Sequence, residues 1–228
     1  MQTVDDFTPD SNADFKLQEY WERRFQKEES YEWLTSWKNV RTQILPYIKP
    51  TDRILIVGCG NSSFSADIYD EGFHNITNID FAESVITRLR ELHVLSRPEM
   101  SWEVMDMTAL AFTDESFDVV LDKAAMDALV VDEGDVWDPD LSVIDVVDKM
   151  CLGISKVLKS TGIHMQISFA QPHFRTKYLI GYRAEGVNSS PYQASTGLAA
   201  RYGWSLSYET IENEGGCLNS FLYIMKKQ

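Results

Sequence analysis

The sequence predicts an α/β fold: a doubly wound, mostly parallel sheet of seven strands with helices on both faces and an antiparallel hairpin at its end. Three observations carry this expectation. Short apolar runs repeatedly end in aspartate, helical patterns alternate with them, and the last two strand-like runs are joined by too few residues for a crossover helix. The first run, Ile54-Leu55-Ile56-Val57, is continuously apolar and breaks at Gly58-Cys59-Gly60, as a strand buried on both faces does where it turns into a helix. Asn75 to Ile79 before Asp80, Ser101 to Met105 before Asp106, and Phe117 to Leu121 before Asp122 repeat the form. Ser63 to Glu71 and Ser84 to Leu95 read as the intervening helices. Ser142 to Leu158 then places Val143, Val146, Val147, Met150, Ile154, Val157 and Leu158 on one helical face, and Ser160-Thr161-Gly162 punctuates before a fifth strand, Ile163 to Phe169. Trp204 to Ile211 and Phe221 to Met225, with Glu212 to Gly216 between them, form the antiparallel pair. Gln171 to Tyr202 fits no single pattern.

A chain of 228 residues suits one such domain. Residues 1–14 are polar and acidic and are expected to be a flexible N-terminal segment. Residues 15–228 are expected to be the single domain, with 15–50 as a helical cap: Phe15, Tyr20, Trp21, Phe25 and Trp33 lie among charges, and Trp37 to Ile48 is amphipathic and ends near Pro50. The N-terminus has no signal-peptide pattern, and no stretch is apolar enough to span a membrane, so no membrane partner is expected. Three dispersed cysteines, Cys59, Cys151 and Cys217, support neither a disulfide framework nor a metal cluster, which points to a reducing, cytoplasmic setting. A formal net charge of −14 without a basic run argues against nucleic acid.

The candidate site lies at the carboxyl ends of the strands. Gly58 and Gly60 let the backbone turn sharply and approach a ligand, and the next helix is expected to offer free amides to polar ligand atoms. A nicotinamide dinucleotide site needs a third glycine three residues on, where Ser63 stands, so a nucleoside without a pyrophosphate fits better. Asp80, about 20 residues beyond the glycines, suits both ribose hydroxyls. Asp106, at the next strand end, suits an adenine amino group. Each aspartate alone is equally well a helix or turn cap; their shared register makes the case. Trp21, Phe25 or Trp33 offers an aromatic face to a cation, the competing reading being a hydrophobic lid. Asp122 is placed to orient an incoming nucleophile and Lys123 to pair with a ligand carboxylate.

Several segments taken together resemble the eukaryotic elongation factor 1-alpha lysine methyltransferase family, especially its member 4 and methyltransferase-like protein 13 amino-terminal-domain types. They are Glu19-Tyr20-Trp21 with Arg24-Phe25, Tyr31-Glu32-Trp33, Ile56-Val57-Gly58-Cys59-Gly60-Asn61-Ser62, Asn78-Ile79-Asp80, Met105-Asp106-Met107, Ser116 to Lys123, Asp127-Ala128-Leu129 and Pro172-His173-Phe174-Arg175. The resemblance implies a Rossmann-like methyltransferase domain, S-adenosylmethionine as cofactor, no metal, and a protein substrate such as elongation factor 1-alpha. It implies cofactor contacts at Trp21, Phe25, Trp33, Gly58, Asp80, Phe81, Asp106, Met107 and Lys123. With Gly60, Asn61 and Asp122 these complete the expected binding set, and Asp122 and Asp127 are the catalytic candidates. The alternatives are a small-molecule or peptide-terminus methyltransferase and a non-catalytic protein that binds the same cofactor.

One departure concerns the acceptor side. Where the family runs Gly-Thr-Leu-Asp after Asp122-Lys123, this chain has Ala124-Ala125-Met126-Asp127. From Asp127 to Asp148 the chain also carries Asp132, Glu133, Asp135, Asp138, Asp140 and Asp145 with no Lys or Arg until Lys149. These carboxylates are expected to border the acceptor entrance and to attract a basic protein surface, the alternative being a solvated loop and helix start.

Overall fold

The computed structural model describes residues 7–181, 198–199, 201–212 and 219–228. The expected strands are all present: β1 (Ile54–Val57), β2 (Ile76–Asp80), β3 (Ser101–Val104), β4 (Phe117–Lys123), β7 (Leu158–Ser168), β9 (Trp204–Ile211) and β10 (Ser220–Lys227). Between them lie three short additions: β5 (Gly134–Asp135) pairs with β6 (Asp138–Pro139), and β8 (Leu198–Ala199) adds to one edge. The main sheet runs β3-β2-β1-β4-β7-β10-β9-β8. The first five strands in that order are parallel, and β10 turns antiparallel against β7 and β9.

The order reverses between β1 and β4. The chain steps outward from β1 to β3 and then returns to the far side of β1, which opens a crevice at the carboxyl ends of that pair. The register Val57 against Asp122 brings the Gly58-Cys59-Gly60 turn beside Lys123 and Ala124.

Successive β1 residues serve opposite faces, as strand geometry requires. Ile54 and Ile56 join the core under α2 (Trp37–Ile44), α3 (Phe64–Asp70) and α4 (Glu83–His93), while Leu55 and Val57 join the core under α6 (Leu141–Val157). Both faces are therefore dry. The helices begin and end within two residues of the expected α3, α4 and α6 bounds. Helix α2 stops earlier than Ile48, giving way to a 3-10 turn at Leu45–Tyr47, because Pro46 has no N–H to continue the ladder.

Ser160-Thr161-Gly162 does not interrupt the fifth strand as expected. It lies within β7, whose register against β4 shifts between Phe117 and Val119. A Cβ at Gly162 would meet Leu158 Cδ2 at 2.9 Å and the Asp118 carbonyl oxygen at 3.1 Å, so the bulge needs glycine there.

In the N-terminal cap only α1 (Gln18–Lys27) is a regular helix before α2; residues 28–36 are extended or bent. The expected division between residues 14 and 15 falls inside a 3-10 turn, Asn12–Lys16. Two further short helices are α5 (Ala125–Val130) and α7 (Pro172–Leu179), the second within the stretch that the sequence left unassigned. Residues 182–197 and 200 of that stretch, most of the hairpin loop before β10, and Cys217 lie outside the described residues. Cys59 and Cys151 are buried free thiols. Among the described residues no helix is long and apolar enough to cross a membrane.

Candidate active site

A cavity of about 390 Å³ opens at the crevice between β1 and β4. The glycine turn forms its floor. Gly58 and Gly60 both take left-handed backbone conformations, with φ of 57° and 54°. The room left by the absent Cβ of Gly58 goes to Ala125, and Phe25 covers Gly60 at 3.6 Å from where a Cβ would stand. These glycines are thus required by the turn and by packing within the protein.

Asp80 stands at the end of β2 and is 5% exposed. Its Oδ2 accepts the Gly60 amide at 2.9 Å and its Oδ1 the Ala82 amide at 3.0 Å, which locks the glycine turn to the second strand. Burial pushes its carboxyl up to about 6, against the pull of those amides. Asp106 borders the cavity beyond β3, where its Oδ1 accepts from the amide and hydroxyl of Thr108, each at 2.8 Å. Phe81 and Met107, each next to one of these aspartates, also line the wall.

The opposite wall comes from the N-terminal cap: Phe15, Trp21, Phe25, Tyr31 and Trp33. Trp21 lies 5.4 Å from Phe25 and 6.2 Å from Trp33, ring centre to ring centre. The cation held over these rings is the protein's own Arg24, whose guanidinium stands 4.9 Å from the Trp33 ring and 5.8 Å from the Trp21 ring. Arg24 also makes a bidentate pair with Glu28.

Two glutamates absent from the expected set join that cap to the glycine turn. Asn61, 3% exposed, donates from Nδ2 to the Glu28 carbonyl and carboxylate. Glu32 Oε1 accepts from the Ser62 hydroxyl and the Ser63 amide, both at 2.6 Å, and the Ser62 hydroxyl in turn accepts the Phe64 amide. Two of the amides expected to be free at the start of α3, those of Ser63 and Phe64, are thus already occupied. Glu32 Oε2 lies 3.2 Å from Lys123 Nζ, which also donates to the Trp33 carbonyl at 3.0 Å. Burial holds the Lys123 ammonium below its ordinary value, with Glu32 opposing that shift. The only mark of Glu32 in the sequence is its place in Tyr31-Glu32-Trp33.

Of the expected residues, Trp21, Phe25, Trp33, Gly58, Gly60, Asn61, Asp80, Phe81, Asp106, Met107, Lys123 and Asp127 all line this one cavity. Asp122 does not. It is 1% exposed, accepts the amides of Ala125 and Met126 at the start of α5, and takes the Gln166 side chain at 2.7 Å. Burial, with the nearby charge of Asp127, raises its carboxyl to about 6. Asp122 therefore supports the start of α5 from below.

The acidic stretch is largely paired within the protein. Asp127 meets Arg175, Asp132 meets Lys16, Glu133 receives Lys177 and the Tyr178 hydroxyl, and Asp148 receives Arg201 and the Tyr202 hydroxyl. Asp135, Asp138, Asp140 and Asp145 remain exposed to solvent. The expected rim is thus narrower than the full run of carboxylates.

A methyltransferase domain model matches residues 54–136. The bovine EEF1A lysine methyltransferase 4 is 34% identical over 96% of this chain and 78% of its own length. The chain belongs to the EEF1A lysine methyltransferase family. It is an S-adenosylmethionine-dependent methyltransferase. The human eEF1A lysine and N-terminal methyltransferase is 37% identical over 78% of the chain, which spans 25% of that longer protein. Among solved structures, the N-methyltransferase NodS from Bradyrhizobium japonicum, in complex with S-adenosyl-L-homocysteine, shares the fold with a TM-score of 0.58 at 13% identity, over 95% of this chain and 98% of its own.

Proposed function

We propose that this protein methylates the side-chain amine of a lysine in a protein acceptor, that the acceptor is elongation factor 1-alpha, and that it acts in the cytoplasm. The observation that carries this reading is the continuity of one cavity from Asp80 and Asp106 to Asp127, Ala128 and Phe169, which sets a nucleoside end and an acceptor end in line.

The residues present fit S-adenosylmethionine. Asp80 is buried at the wall and uses one lone pair of each oxygen on the Gly60 and Ala82 amides, so both oxygens retain capacity for ribose hydroxyls. Asp106 and the flanking Phe81 and Met107 would take the adenine ring between polar and apolar surfaces. Lys123 donates to the Trp33 carbonyl and forms an ion pair with Glu32 at 3.2 Å, which leaves donor capacity for the carboxylate of the cofactor tail. Trp21 and Phe25 would cover the tail and exclude water.

When bound, S-adenosylmethionine supplies an electrophilic methyl carbon: the amine lone pair forms the new N–C bond, the C–S bond breaks with its electron pair left on sulfur, and a proton leaves nitrogen for water. The protein's part is to align the amine, dry the site and keep the amine neutral before transfer. Incubating the purified protein with elongation factor 1-alpha and the cofactor, then mapping methylated residues by peptide mass spectrometry, tests the reading. Methylated lysine is expected. Methylation confined to a terminal α-amine, or none on any protein, would contradict it.

A further inference from the structure

At the acceptor end of the cavity Asp127 stands on α5, and it is 6% exposed. Its Oδ1 is fully engaged: the Ser168 hydroxyl donates to it at 2.6 Å, and Arg175 Nη2 forms an ion pair with it. Arg175 is 1% exposed and also donates from Nη2 to Ser168 Oγ at 3.3 Å, which links the three side chains, while its Nε and Nη1 are buried without a hydrogen-bond partner among the described residues. Among the described residues Asp127 Oδ2 has no hydrogen-bond partner of normal geometry, the Phe169 amide being the backbone donor turned toward this carboxylate. A buried carboxylate oxygen left without a donor is costly, and such cost concentrates where a ligand completes the set. Nearby Asp122 differs, since both its oxygens are taken by Ala125, Met126 and Gln166 and it stands outside the cavity wall.

We propose that Asp127 Oδ2 receives the acceptor nitrogen, and that Arg175 and Ser168 are positioning residues that fix the carboxylate for it. This rests on the reading of the protein as an amine methyltransferase. The nitrogen enters neutral, donates a hydrogen bond to Oδ2, and gains positive charge as the new bond forms. A carboxylate held by Arg175 and Ser168 interacts more strongly with that charge than with the neutral amine, which is the differential binding that speeds the step.

Asp127→Asn alone leaves Arg175 as a buried unpaired cation and threatens folding. The test therefore pairs it with Asp127→Asn/Arg175→Gln, which removes both charges, and with Ser168→Ala. Three readouts are taken: S-adenosylmethionine affinity by calorimetry, affinity of the S-adenosylhomocysteine-loaded enzyme for elongation factor 1-alpha, and kcat and KM for methylation. Expected for the double variant are cofactor affinity within about twofold of the parent, acceptor affinity reduced severalfold, and kcat reduced about a hundredfold or more. Ser168→Ala should lose about tenfold in kcat, with a smaller change in KM. A double variant that is folded, binds cofactor and methylates lysine at the parent rate overturns the role of Asp127 while leaving the proposed function intact. A parent protein that methylates no amine overturns the proposed function and this inference with it.

Discussion

Gly58 and Ala125 approach so closely that a Cβ on Gly58 would stand 2.5 Å from the Cβ of Ala125. This contact seats the start of α5 on the turn after β1, so the glycine turn and α5 share one wall of the cavity. Gly58→Ala should cost about 2–5 kcal/mol, from left-handed strain at φ 57° and overpacking together. Gly58→Ala/Ala125→Gly should recover part of that loss by relieving the clash alone. Urea unfolding measures both, and a Gly58→Ala loss below about 0.5 kcal/mol would show that the two backbones are not held together.

Ala124 takes φ 67°, a left-handed conformation that favours glycine. Ala124→Gly should therefore stabilise the protein by about 0.5–1 kcal/mol, the relief of strain outweighing the added freedom of the unfolded chain. A lower melting temperature for the variant would contradict this account of the turn.

The Asp80 carboxyl, raised by burial to about 6, makes cofactor binding depend on pH. Ribose hydroxyls need the ionised acceptor, so S-adenosylmethionine affinity should be about tenfold weaker at pH 5 than at pH 7 and level off above pH 7. The stability of the free protein should run the other way. With a folded value above the ordinary 3.8, the fold binds the proton more tightly than the unfolded chain does, so the stability contribution is largest below about 4 and is lost as pH rises to about 6. Asp122 acts in the same sense. Calorimetric affinity that stays flat from pH 5 to 7 would remove Asp80 from the ribose site.

Asp135, Asp138 and Asp140 are exposed at the β5–β6 hairpin, where their charge would steer a basic acceptor. Replacing these three with Asn should raise KM for the protein acceptor at low salt and leave S-adenosylmethionine affinity unchanged. The effect should fade as salt shortens the screening length below about 8 Å. Equal acceptor kinetics for variant and parent at every salt concentration would leave the carboxylates as a solvated surface.

The sheet was legible because strands buried on both faces must be continuously apolar, as Ile54 to Val57 and Phe117 to Leu121 are. The lining of the cavity was legible because glycine and aspartate at strand ends do particular backbone and hydrogen-bonding work. Asp80 and Asp122 look alike in sequence, yet β4 continues two residues past Leu121 and Asp122 falls on the Val120 face, covered by α6. Glu28 and Glu32 gave no periodic signal, since their partners Asn61, Ser62 and Lys123 lie about 30 to 90 residues away in sequence. Helix α7 was hidden because it has little amphipathic contrast: Arg175 and Thr176 are buried along with Tyr178 and Leu179.

The most direct measurement is calorimetric titration of the parent and Asp80→Ala proteins with S-adenosylmethionine and, side by side, with NAD. The cleft between β1 and β4 should bind S-adenosylmethionine saturably in the parent. Asp80→Ala should weaken that binding from severalfold to about a hundredfold, since a charge-assisted hydrogen bond is worth about 1.5–3 kcal/mol. NAD should show no measurable binding, because Ser63 replaces the glycine that lets a pyrophosphate approach and the Ser63 amide is already held by Glu32. Saturable NAD binding, or S-adenosylmethionine affinity unchanged by Asp80→Ala, would contradict the assignment of this cleft.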